Sequence, residues 1–184
     1  MKVLAKQGVR GFRIRPGDRK PNNWLSGEGM RAMWRCGAEE QLAMCHLIDP
    51  EFIPSVDRMC QKYPRTPVVI DHFARVGIDG SIRKKDLDRL CRLARFPQVT
   101  LKVSAYYALG KKMMPYRDLG PMIRRVRDAF GTERIMWASD CPFQVQQGHT
   151  YQSSIDLIKR ELEFLSPDDR EWILRKTAER VFFS

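Results

Sequence analysis

The sequence has no uninterrupted apolar run near the roughly 18 residues that a membrane-spanning helix needs. Its opening residues, Met1-Lys2-Val3-Leu4-Ala5-Lys6-Gln7-Gly8, carry no apolar block of the kind that begins a secretory signal. Both absences point to a cytoplasmic protein with no membrane partner. Cysteine is present but not paired: Cys36, Cys45, Cys60, Cys91 and Cys141 are an odd set with no Cys-x-x-Cys spacing, which argues against a zinc ribbon or a disulfide framework. They read as small buried apolar residues. Also missing are Gly-x-Gly-x-x-Gly and Gly-x-x-x-x-Gly-Lys-Ser/Thr, the loops that wrap phosphates in a nucleotide-binding open sheet. Internal repeats and low-complexity tracts are lacking as well.

What remains is 184 residues, 43% hydrophobic and 30% charged, enough for one packed domain over 1–184 and too few for two ordinary ones. The net charge of +11 is concentrated at the front, where residues 1–35 hold nine basic and two acidic side chains. No helix-turn-helix or RNA-binding signature accompanies it. Between Ile82 and Arg95 the basic residues alternate with Asp86 and Asp88, the pattern of a solvated helix face, so no nucleic-acid partner is expected.

Short apolar runs rich in β-branched residues alternate with longer segments of helical period. The strands are predicted at 9–14, 42–48, 68–71, 99–104 and 135–139. Helices are predicted at 30–41, 54–62, 85–95, 121–130 and 153–165, with a last one from Ser166, whose side chain can cap ahead of Pro167, Asp168 and Asp169. Apolar strands alternating with helices indicate a parallel sheet under a helical layer. Polar residues cluster at the C-terminal ends of the strands: Arg13 and Arg15, His46 and Asp49, Asp71 and His72, Ser104 and Tyr106, and Asp140. In a (β/α) barrel those ends form the active face.

Chemistry is sought among these residues. Asp140 ends an apolar strand just before Cys141-Pro142, where a carboxylate can take a proton from water or ligate a metal. His72 and His46 end two other strands and can each bind a metal or polarise a carbonyl. Arg13 alternates with apolar neighbours on its strand and suits a substrate carboxylate, which a guanidinium binds bidentately. Lys102, inside an apolar strand, implies a carboxylate partner or a place on the catalytic face. His149 lies in a polar loop, and a surface-loop histidine is the preferred reading.

Four segments, Gly8-Val9-Arg10-Gly11-Phe12-Arg13, Pro67-Val68-Val69-Ile70-Asp71-His72, Leu101-Lys102-Val103-Ser104 and Met136-Trp137-Ala138-Ser139-Asp140-Cys141-Pro142, together resemble the amidohydrolase-related family of lactonases and decarboxylases. The resemblance implies an α/β fold, a (β/α)₈ TIM barrel of amidohydrolase type, of which strands four to eight are present. It matches His46 to a metal-ligating histidine of the fifth strand, His72 to a histidine of the sixth and Asp140 to an aspartate of the eighth. Arg13 matches an arginine that contacts a substrate carboxylate, and Arg75 resembles the arginine of an Asp-His-x-Gly-Arg motif, with Ala74 in place of its glycine. The His-x-His pair of the first strand is absent, and the first three strand-helix units are missing from the front.

The expected function is hydrolysis of a lactone or related cyclic ester or amide of a small anionic compound. Asp140 and His72 would be catalytic, Arg13 and Arg75 would bind substrate, and His46 with Asp140 would ligate one divalent metal, zinc or manganese, if a metal is used. The alternatives are a metal-dependent decarboxylase of the same family and an inactive barrel fragment that needs a partner. A five-stranded portion would leave two edges and an apolar inner face exposed, so a homo-oligomer, or dependence on the missing part of the barrel, is expected.

Overall fold

The computed structural model describes residues 1–183. Its framework is a single parallel sheet of five strands, β1 (Gly11–Ile14), β2 (Ala43–His46), β3 (Val68–Ile70), β4 (Val99–Val103) and β5 (Ile135–Trp137), lying side by side in chain order. The predicted strands all occur, each shortened by one to three residues. Between them run α2 (Glu28–Glu40), α3 (Ile53–Lys62), α4 (Lys84–Arg92) and α5 (Gly120–Phe130), preceded by a short α1 (Lys2–Lys6) that hydrophobic periodicity did not reveal. Parallel neighbours joined by right-handed crossovers in unbroken order place successive helices on one side of the sheet. A doubly wound sheet would instead reverse its strand order midway. Five strands in this order form an arc of a barrel, and among the described residues no strand pairs with the outer edge of β1 or β5.

The main core lies between sheet and helices. Every second strand residue, among them Ile14, Met44, Ile70, Leu101, Val103 and Ile135, packs there with helix residues such as Trp34, Val56, Leu90, Ile123 and Val126. Gly37 lets α2 approach β2 closely: a Cβ on it would stand 3.1 Å from the Leu42 carbonyl, Met44 and Thr66.

After β5 the chain forms α6 (Tyr151–Asp156), widens into a π turn through Leu157–Glu161, and restarts at α7 (Pro167–Glu171). The Ser166 cap is a full capping box: Ser166 Oγ accepts from the Asp169 amide at 3.1 Å while Asp169 Oδ2 accepts from the Ser166 amide at 2.8 Å. The last helix, α8 (Thr177–Phe182), lays Ala178, Val181 and Phe182 against Ala43, Cys45, Val69 and Met136, which face the concave side of the arc. This corrects the expectation of an exposed apolar inner face: those four residues are at most 6% exposed because α8 covers them. Among the described residues no helix is long and apolar enough to cross a membrane.

Candidate active site

The inner face of the sheet carries charge beside its apolar patch. Asp71, at the end of β3, is fully buried, and its Oδ1 and Oδ2 lie 3.0 Å from Lys102 Nζ on β4 and Arg13 Nε on β1. Lys102 thus has the carboxylate partner that its place in an apolar strand required. Arg13 reaches Asp71 across β2, where its register partner is the small Cys45. That thiol is pushed up to about 11 by burial, with the charge of Asp71 adding to the effect, so it stays protonated. Because only Nε of Arg13 is engaged and the side chain is half exposed, its two terminal nitrogens remain available to an anion.

The next residue breaks the strand alternation. His72, Phe73, Ala74 and Arg75 have φ of 53°, 54°, 50° and 55°, a left-handed turn that costs about 1–2 kcal/mol per non-glycine residue. It is held by the Ala74 amide donating to the Asp71 carbonyl and by the buried side chains of Phe73 and Ala74. Its effect is that Asp71 and His72, adjacent in sequence, both serve the same end of the sheet. β4 and β5 also leave through left-handed residues, Ala105 (φ 60°) and Asp140 (φ 51°).

At this end three strands converge. His72 Nδ1 is 2.8 Å from Ser104 Oγ after β4, and its Nε2 is 3.4 Å from Oδ1 of Asp140 after β5. Tyr107 donates its hydroxyl to the other oxygen of Asp140 at 2.9 Å. Burial pushes the His72 imidazole below its usual range, against the opposing pull of Asp140 and Asp71, so the ring is held neutral. Burial, and then the bond to Asp140, push the Tyr107 phenol up, keeping it a donor. A neutral His72 whose Nδ1 accepts from Ser104 turns an Nε2–H toward Asp140. A carboxylate oriented by two groups, with a donor beside it, can take a proton from water while the donor supports a carbonyl oxygen.

The structure brings His72, Asp140 and Arg13 to one face. It does not bring His46 there. The imidazole of His46 is fully buried on the helix side of the sheet, 5.6 Å from the Trp24 ring and 5.5 Å from the Trp34 ring, and neither of its nitrogens has a hydrogen-bond partner among the described residues. Desolvation pushes it down to about 3. The expectation that His46 and Asp140 share a metal is corrected on this geometry, since strand alternation points His46 the opposite way. Among the described residues no three His, Cys, Asp or Glu side chains form a metal-binding group. His72 and Asp140 supply two donors, which do not fit a zinc or manganese site without a further ligand.

Arg75 ends the left-handed turn and pairs with Asp49 at 3.1 Å. It lines a cavity of about 500 Å³ with Asp49, Glu51 and Arg89, and its charge reaches Tyr107, which places it beside the His72 and Asp140 cluster. Tyr106, the strand-end residue singled out in the sequence, is buried with its hydroxyl donating to the Val103 carbonyl. The left-handed Ala105 advances the turn so that Tyr107 meets Asp140. No periodicity announces that one-residue shift.

Comparison with known proteins supplies the context. A family model described as Amidohydrolase matches residues 1–183. The chain is 29% identical over 143 residues to an L-fucono-1,5-lactonase of Burkholderia ambifaria, covering 76% of this chain and 48% of that protein. It is 26% identical over 157 residues to a 4-sulfomuconolactone hydrolase of Hydrogenophaga intermedia, covering 83% and 50%. The chain therefore spans about half the length of the curated relatives it matches. Among solved structures, an amidohydrolase of Burkholderia multivorans with bound HEPES superposes with a TM-score of 0.85 at 22% identity, over 99% of this chain and 68% of that one. The same protein in another crystal form has bound zinc, with a TM-score of 0.81 at 21% identity over 100% of this chain and 70% of that one. These structural likenesses establish the fold, a portion of a TIM barrel.

Proposed function

The chain belongs to the amidohydrolase family, and from that premise we propose that it hydrolyses a lactone of a small anionic compound, with Asp140 activating the water. The observation that carries this reading is the double hold on Asp140: Tyr107 binds one oxygen at 2.9 Å and His72 Nε2 stands 3.4 Å from the other. Asp140 takes the proton from water. As Asp140 gains that proton it releases the Nε2–H of His72, which stabilises the oxyanion that forms on the lactone carbonyl, a role worth roughly two to four kcal/mol of barrier for one well-placed donor. The free terminal nitrogens of Arg13 bind the negative charge, which a sulfonated lactone carries from the start and a neutral sugar lactone gains as its carboxylate forms, and Arg75, beside the cluster, extends that positive field.

A sugar lactone or a sulfonated muconolactone is the substrate class suggested by the names of the two relatives. A divalent metal at this site would hold to Asp140 and His72 and would need donors from outside the described residues, so no step is routed through it. Closing an eight-stranded barrel around five strands takes three more. We propose that this polypeptide comes from a longer protein, a partner or a second copy, and that the free edges of β1 and β5 receive it. The five free thiols suit a reducing compartment, the cytoplasm.

The test is a pH-stat assay with L-fucono-1,5-lactone and 4-sulfomuconolactone, in excess chelator and without it. Acid release above the spontaneous rate, retained in chelator, is the expected result. Release of carbon dioxide from an aromatic acid in place of lactone opening would overturn the reading in favour of a decarboxylase.

A further inference from the structure

His149 touches neither Asp140 nor His72, although the structure gives it a fixed place. Its ring stacks on Tyr116, with centroids 5.8 Å apart and planes at 25°, and lies 6.2 Å from the ring of Tyr107. Tyr107 is the residue that donates to Asp140, so one aromatic ring separates His149 from the proposed base. The loop after β5 brings it there, between Asp140 and the helix α6.

The hydrogen bonds around it assign its proton. Gln144 is fully buried, and one of its side-chain atoms lies 3.2 Å from the Thr150 carbonyl and 3.0 Å from Tyr116 Oη. A carbonyl only accepts, so that atom is the amide nitrogen, and it donates to Tyr116 as well. The Tyr116 oxygen is therefore an acceptor toward Gln144, and among the described residues its own proton has one acceptor in reach, His149 Nδ1 at 2.8 Å, to which it goes. With Nδ1 accepting, the ring proton sits on Nε2. His149 is partly exposed, and that atom has no hydrogen-bond partner among the described residues, so an N–H donor is open to a ligand on a ring that neighbours Tyr107.

We infer that His149 is a further catalytic residue, whose Nε2–H hydrogen-bonds the ring oxygen that departs as the lactone opens; this rests on the hydrolase reading above. The water oxygen bonds to the carbonyl carbon while Asp140 takes one of its protons. The bond from that carbon to the ring oxygen breaks, and its electron pair goes to the ring oxygen. The proton held by Asp140 then passes to this oxygen, giving the hydroxy acid. His149 transfers no proton. It stabilises charge as it develops on the leaving oxygen, for which an N–H donor already fixed by the Tyr116 bond needs no reorganisation.

Loss of such a donor hurts most where the leaving oxygen is most basic, so two lactones separate the inference from a structural role. With glucono-1,5-lactone, which leaves as an alkoxide, His149→Gln is expected to lower kcat about 10²-fold. With dihydrocoumarin, which leaves as a phenoxide, the loss is expected to be at least tenfold smaller. Tyr116→Phe, which frees the tautomer, should give an intermediate loss with the same order. Equal losses on both lactones, or none, would overturn the inference while leaving the hydrolase reading intact. A wild-type chain that opens neither of these lactones nor L-fucono-1,5-lactone and 4-sulfomuconolactone would instead overturn that reading, and with it a catalytic role for His149. The sequence has three histidines, so nitrogen-15 histidine labelling resolves each, with buried His46 as the folding control in every variant. Protonation at Nε2 of His149 and a shift of that nitrogen on adding gluconate support contact with the ligand. Protonation at Nδ1, or no response to gluconate, contradicts it.

Discussion

Asp71 has no exposure and holds two cations on separate strands, so removing its charge while keeping its shape leaves Lys102 beside an apolar wall without its counter-ion. Asp71→Asn is expected to cost about 3 kcal/mol, the usual scale for breaking a buried pair, and denaturant titration measures it. His46 makes a prediction of opposite kind. Its folded pKa, about 3, lies below the unfolded value of 6.5, so the unfolded chain binds a proton that the native state refuses. Stability is therefore complete above pH 6.5 and falls as pH drops toward 3, by up to about 1.4 kcal/mol per unit. His46→Phe should flatten that slope in urea titrations at pH 7, 5.5 and 4.5 and leave zinc affinity unchanged; a hundredfold loss of zinc affinity would return His46 to the site. His72, Asp140 and Arg13 were legible as strand-end polar residues. The reach of Tyr107 was not, since it depends on the left-handed Ala105, and the facing of His46 was not, since β2 is buried on both faces and its pattern does not tell which face the helices cover.

Elements place these residues, and their end signals carry measurable energy. The reciprocal bonds of Ser166 and Asp169 satisfy amides that α7 leaves unpaired, and Ser166→Ala is expected to lower stability by about 1 kcal/mol, seen as a shift in thermal midpoint. α8 has a larger part: removing residues 177–182 would uncover Ala43, Cys45, Val69 and Met136 together. Such a chain should bind a hydrophobic dye that the intact chain excludes, and unchanged dye fluorescence would contradict the packing described here. Ser166-Pro167-Asp168-Asp169 announced the start of α7 because capping chemistry is local. Nothing local told that α8 turns onto the concave face, because an apolar stripe shows that a helix packs and not which surface receives it.

At the scale of the whole molecule the strand order was readable, since β-branched runs spaced by amphipathic helices leave few topologies open. Closure was not, because it depends on partners for β1 and β5 that lie outside this sheet. Two free edges of a parallel sheet are a template for pairing. Light scattering is accordingly expected to give a mass above the 21.5 kDa of one chain, and a monodisperse monomer would contradict that expectation. The proposed hydrolysis turns on Asp140, held by Tyr107 on one oxygen and facing His72 with the other. The most direct test is the rate of L-fucono-1,5-lactone hydrolysis by the chain and by its Asp140→Asn variant, compared at equal folded concentration. Base-activated water attack predicts a loss of about 10³-fold or more, and equal rates for the two proteins would contradict it.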